Sequence, residues 1–166
     1  TPFAVLCSIL NSWTNTDLSL LKNYKSDLEI APKFLSRDFS GEKNVIKVRY
    51  ENLITQPSAE MKRIFLEIGV LEEENCIEYG DFGNPDWRLG DQRAVNELSR
   101  PNAQRALLWK EQLRDPIAHR FCNDYLKILG RDTFLSLGYD FDRAIEELTE
   151  YQPANEVFAE PLQHYL

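Results

Sequence analysis

Apolar and charged residues alternate at helical spacing through most of this 166-residue chain, and one short β-branched run interrupts them. Thr1 followed by Pro2 is a good helix start, because a hydroxyl caps free backbone N–H groups while proline at the first helical position sacrifices no hydrogen bond. The pattern there predicts a helix over residues 2–14. Over residues 17–39, Leu21, Tyr24 and Leu28 recur among charges, which predicts a helix, a break at Pro32 and a short second helix. Val45-Ile46-Lys47-Val48-Arg49-Tyr50 is short, β-branched and bounded by Gly41, Asn44 and Asn52, and it is the one segment that reads as a strand, over about residues 45–50. Pro57 then opens an amphipathic helix with Met61, Ile64, Phe65 and Ile68 on one face and Gly69 placed to end it. Strand-to-helix order of this kind is what an α/β layer produces, so the predicted class is α/β, with several packed helices around one strand.

Residues 72–102 hold Gly80, Gly83, Pro85, Gly90 and Pro101 without a sustained period, and they read as an irregular excursion with at most short helical turns. Asn102 is placed to cap a helix running to about Leu113. Asp115-Pro116 begins another through Phe121, Tyr125, Ile128 and Leu129 that Gly130 terminates, and Asp132 and Gly138 bracket a further short one. A helix is expected around Ile145 and Leu148. The body therefore spans residues 1–150. Residues 151–166 form an aromatic tail, with Tyr151, Phe158 and Tyr165 separated by Pro153 and Pro161, which is expected to wrap the chain's own body.

Composition narrows the function classes. A hydrophobic share of 43% with 11% aromatics and mixed charges fits a folded domain with one core. Nineteen basic against twenty-seven acidic residues, a net charge of −8, argue against a surface that coats nucleic acid or docks on anionic lipid, so an anionic ligand would have to meet a local basic patch. No stretch approaches the roughly 18 apolar residues of a membrane span. The start at Thr1, with neither an initiator Met nor a basic leader, reads as a start inside a domain, which leaves cellular location open. Cys7, Cys76 and Cys122 are odd in number and far apart, so buried free thiols are expected rather than zinc ligands or a disulfide framework.

Catalytic chemistry is thin. No glycine-rich phosphate loop occurs. His119, within a helix, and His164, near the end, read as surface residues, and Glu72-Glu73-Glu74 and Glu146-Glu147 read as solvated helix faces because adjacent residues do not face each other on a helix. No catalytic residue and no metal site is assigned.

Four segments together resemble the sulfotransferases that use 3′-phosphoadenosine 5′-phosphosulfate (PAPS). Pro2-Phe3-Ala4-Val5-Leu6-Cys7-Ser8 is similar to the end of that family's 3′-phosphate motif, in which a serine follows a proline by six residues. A lone serine two turns into a helix would otherwise back-bond to its own carbonyls. Val48-Arg49-Tyr50-Glu51-Asn52-Leu53, Pro57 and Ile64-Phe65-Leu66-Glu67-Ile68-Gly69-Val70 look like the family's strand ending in Tyr-Glu-Asp-Leu, its proline-started helix and its Phe-Leu-Gly close, with Asn52 in place of Asp and Glu67-Ile68 inserted before Gly69. Asp86-Trp87-Arg88-Leu89-Gly90-Asp91-Gln92-Arg93 through Arg100, Arg105 and Trp109 is similar to a basic loop ahead of a tryptophan-bearing helix, and it gathers Arg88, Arg93, Arg100 and Arg105 in an otherwise acidic chain. Trp109–Leu113, Cys122–Leu129 and Phe134–Asp140 look like bacterial-type closing helices.

This resemblance implies the C-terminal, helix-rich half of a P-loop-like fold. It implies PAPS as sulfuryl donor, no metal, and Ser8, Tyr50 and Arg100 as the residues on the 3′-phosphoadenosine side of the pocket, with Glu51 holding the loop. The phosphosulfate loop and the catalytic base would come from the upstream half of the same domain, so this chain alone is expected to be inactive. The acceptor, a small-molecule alcohol or amine, a glycan or a carrier-bound chain, is left open. The competing reading is a non-catalytic, sulfotransferase-like interaction module; a nucleotide kinase is disfavoured by the tyrosine motif.

Overall fold

Pro2–Ser12 forms helix α1, in which Phe3, Leu6, Cys7 and Ile9 point inward while Val5, Ser8 and Ser12 stay exposed. These features belong to a computed structural model that describes residues 1–14, 17–78, 98–155 and 157–166. The chain divides into two units. One combines Thr1–Gly41 with Leu107–Leu166, and the other is Glu42–Ala106.

In the first unit α1 is followed by a tight 3₁₀ turn, Leu18–Tyr24, which starts at Asp17, whose carboxylate accepts from the Ser19 amide at 3.0 Å. A wide π turn, Ser26–Ile30, leads directly into α2, Ala31–Leu35. The expected break at Pro32 is absent, for two reasons. Proline has no N–H to give the carbonyl four residues back, which here is that of Leu28. The backbone widens to a π turn just before the proline, and the Tyr125 hydroxyl donates to the Leu28 oxygen at 2.6 Å. Both Leu28 and Tyr125 are fully buried, so the carbonyl would otherwise lack water as well.

The C-terminal stretch supplies α5, Leu108–Gln112, α6, Pro116–Ser136, and α7, Phe141–Glu150. Asp115 caps α6 by accepting from the Ile117 and Ala118 amides at 2.9 Å, with Pro116 at its first position. Gly130, at φ 74°, breaks α6 into two helical stretches, as its position in the sequence predicts. Asp140 caps α7 in the same manner as Asp115. The expected helix from Asn102 to Leu113 forms instead as a 3₁₀ turn, Ala103–Ala106, and the separate α5.

The core of this unit is where the two chain stretches meet. The Phe3 ring lies 5.6 Å from those of both Trp109 on α5 and Phe134 on α6. The tail packs on the body as expected. Leu162 is fully buried, its amide donates to Asp124 at 3.1 Å, and the Tyr165 ring lies 5.5 Å from that of Phe121. Phe158 is left outside, 92% exposed.

The second unit contains α3, Tyr50–Thr55, and α4, Pro57–Ile68, followed by a 3₁₀ turn, Glu74–Ile77, and later the 3₁₀ turn Ala103–Ala106, against which α3 packs. Gly69, at φ 72°, closes α4, and the amide of Val70 reaches back to the Phe65 carbonyl at 3.1 Å.

The α/β expectation is overturned. Among the described residues the chain is helical and contains no strand. Residues 45–49 lie outside both helix and strand, and Tyr50, expected at the end of a strand, is the first residue of α3. Arg49 keeps extended angles, φ −89° and ψ 127°. The physical reason is that β-branched residues favour a pleated surface only when a neighbouring strand takes up their amides and carbonyls. No second run with that pattern exists in the sequence, and the Lys47 carbonyl accepts from the Arg63 guanidinium on α4 at 2.9 Å instead.

Removing the hydroxyl that serves the proline-vacated carbonyl should be costly relative to its size. Tyr125→Phe is expected to lower unfolding free energy by about 1–3 kcal/mol, the cost of a buried unsatisfied carbonyl, as read by urea titration.

Candidate functional site

The three residues expected at a nucleotide pocket fall in different places. Ser8 sits on the exposed face of α1 in the first unit. Its hydroxyl makes no hydrogen bond with any described residue, so the back-bond that a mid-helix serine often forms is not made here. Tyr50 and Arg100 belong to the second unit. Tyr50 opens α3 and is 53% exposed. Arg100 is exposed just ahead of the Ala103–Ala106 turn, where the Asn102 side chain accepts from the Gln104 amide at 2.9 Å. Helix α3, which Tyr50 opens, packs on the Ala103–Ala106 turn that follows Arg100. Arg88 and Arg93, with the rest of Asp86–Arg93, lie outside the described residues, while Arg105 is half-buried in the turn itself.

One arginine that sequence reasoning passed over organises this region. Arg63 on α4 donates to Glu60 at 2.6 and 3.2 Å, to Glu67 at 2.5 Å and to the Lys47 carbonyl at 2.9 Å. It thereby ties α4 to the segment that delivers Tyr50. Glu60 is the one buried acid among the described residues, and its hydrogen bonds from Arg63 hold its carboxyl below the ordinary glutamate value of 4.5 against the opposing effect of burial. The i,i+3 and i,i+4 spacings of Glu60, Arg63 and Glu67 were visible in the sequence. The contact with Lys47 was not. Glu51, expected to hold the loop, is half-buried, and its carbonyl accepts from the Thr55 hydroxyl at 2.7 Å.

His119 departs from expectation: it is half-buried, with Nε2 2.7 Å from the Leu148 carbonyl at the last turn of α7. His164 is exposed, 3.3 Å from Glu160. Glu147 is likewise not a solvated residue, because Lys110 reaches it at 2.7 Å in a half-buried ion pair between α5 and α7. No sequence signal pointed to these two contacts, whose partners lie 29 and 37 residues apart. Neither arrangement is an acid–base pair, and among the described residues no group of His, Cys, Asp and Glu is set to hold a metal ion. No helix among them is long and apolar enough to cross a membrane.

A surface groove of about 420 Å³ runs along the first unit between Arg114 and residues Glu150–Ala154. None of Ser8, Tyr50 and Arg100 lines it. The second unit instead exposes apolar side chains at the end of α4 and just past it, with Leu66 80% and Leu71 92% exposed.

No protein-family model matches the chain, and comparison with curated proteins and with solved structures gives no match.

The Glu60–Arg63 contact should make the second unit sensitive to acid. A carboxyl held below its unfolded value stabilises the folded state above that value and ceases to do so as pH falls through the lowered one. Stability of the wild-type chain is therefore expected to fall as pH drops from about 5 into the acid range, and Glu60→Gln should flatten that part of the profile. Denaturant midpoints measured across pH check it.

Proposed function

We propose that this chain supplies the 3′-phosphoadenosine side of a PAPS pocket in a sulfotransferase. The observation that carries the proposal is the run Val48–Leu53 with Pro57 and Gly69, which resembles that family's tyrosine motif and its proline-started helix. The local geometry is compatible with the role: Tyr50 stands exposed at the start of α3, right after the extended Arg49, and Arg100 is exposed just ahead of the turn on which α3 packs. The proposal rests on these segments and not on a sheet.

The donor set fits the group. Within the second unit, the Arg100 guanidinium offers a forked, permanently charged partner for a phosphate, and the Tyr50 hydroxyl adds a neutral donor. Tyr50 would also offer an aromatic face to the adenosine. When bound, PAPS supplies an activated sulfuryl group for transfer to a hydroxyl or amine. In this reading the second unit binds and orients the nucleotide, and the sequence carries no glycine-rich phosphosulfate loop.

A second reading, a non-catalytic interaction module, draws on the exposed apolar run at the end of α4, Leu66, Ile68, Val70 and Leu71.

Calorimetric titration with 3′-phosphoadenosine 5′-phosphate separates the two. A version of the protein extended upstream is expected to bind, this chain more weakly, and Tyr50→Ala or Arg100→Ala to raise Kd about tenfold or more. Absence of binding by both forms would overturn the sulfotransferase reading and favour the interaction module. Binding that survives both substitutions unchanged would remove these residues from the site.

A further inference from the structure

Cys7 and Cys122 sit on α1 and α6, within the two chain stretches that together build the first unit and that the segment Glu42–Ala106 separates in sequence. Both side chains are fully buried, and their sulfur atoms are 3.7 Å apart. That is van der Waals contact between two sulfurs. A bond of about 2.05 Å needs an approach of less than about 2 Å more, so closing it requires side-chain rotation and a slight shift of one helix. A single buried thiol behaves as a small apolar residue, but two in contact across a helix interface are a latent crosslink.

We propose that Cys7 and Cys122 form an oxidisable pair, closed to a disulfide by hydrogen peroxide, that locks the N-terminal helix onto the C-terminal stretch. One thiol sulfur attacks a peroxide oxygen, the O–O bond breaks, and a sulfenic acid and a water are produced. The second sulfur attacks the sulfenic sulfur, the S–O bond breaks, and another water leaves. The two thiols give up two electrons and two protons, and the peroxide takes up both. Burial pushes the Cys122 thiol well above its ordinary value, so reactive thiolate is scarce and the first attack waits for local opening of α1. The device is therefore a slow lock that accumulates under sustained oxidation rather than a fast sensor. Its mechanical effect is large for one bond, because it joins residues 115 apart in sequence and so constrains the unfolded chain over most of its length.

The test uses the full chain carrying Cys76→Ser, since Cys76 belongs to the other unit and would add its own oxidation products. After peroxide treatment, intact mass, thiol alkylation and peptide mapping are read without reductant. The expected result is simultaneous loss of both remaining thiols, a mass lower by two hydrogens, one peptide joining Cys7 to Cys122, and a melting midpoint raised by about 5–15 °C that reductant reverses. Cys7→Ser should abolish the rise in midpoint. The mass and mapping results need no substitution in the core, so they stand even where that variant folds poorly. Oxygen addition at one cysteine while the other remains alkylatable would overturn the proposal. So would two thiols that survive peroxide in the folded chain yet oxidise readily in urea.

Discussion

The first unit depends on two stretches of chain, far apart in sequence, burying each other's apolar faces. Helix α1 contributes Phe3, Leu6, Cys7 and Ile9 as one buried stripe, but an isolated helix of eleven residues is marginal in water. Its stability comes from Trp109, Cys122 and Phe134, which close over it from the C-terminal stretch. Burying a side chain the size of Phe3 is worth about 1.5–3 kcal/mol, and the Thr1 side chain makes no capping hydrogen bond at the start of α1. The same meeting of stretches places the two thiols in contact, so the proposed redox lock is a consequence of how the unit is closed.

Pro32 shows how a local defect is absorbed by a distant residue. Pro32 has no N–H for the Leu28 carbonyl, the backbone loosens to a π turn, and Tyr125, 97 residues further on, donates to that carbonyl. A break would have cost the packing of the segment against α6. The hydrogen bond avoids that cost and couples the early helical segment to the central helix.

The second unit rests on less apolar burial and more on polar contacts. Among its described residues Ile54 is the one buried apolar side chain, and the Arg63 network joins α4 to the stretch that precedes Tyr50. The unit leaves side chains such as Tyr50 and Arg100 exposed, along with the apolar end of α4.

Much of the helical layout was legible in the sequence because its signals are local. Thr1-Pro2, Asp115-Pro116 and Pro57 mark helix starts, and Gly69 and Gly130 mark ends through backbone angles that favour glycine. Those features require only the few residues around them. The tertiary structure alone decided that residues 45–49 form no strand, that the chain continues through Pro32, and that His119 and Glu147 are tied to the Leu148 carbonyl and to Lys110. Each of these turns on a partner: a strand needs a neighbour, a buried carbonyl needs a donor, and a half-buried charge needs its counter-ion. Residue pattern fixes which positions seek burial or pairing, whereas the identity of the partner follows only once distant stretches have packed.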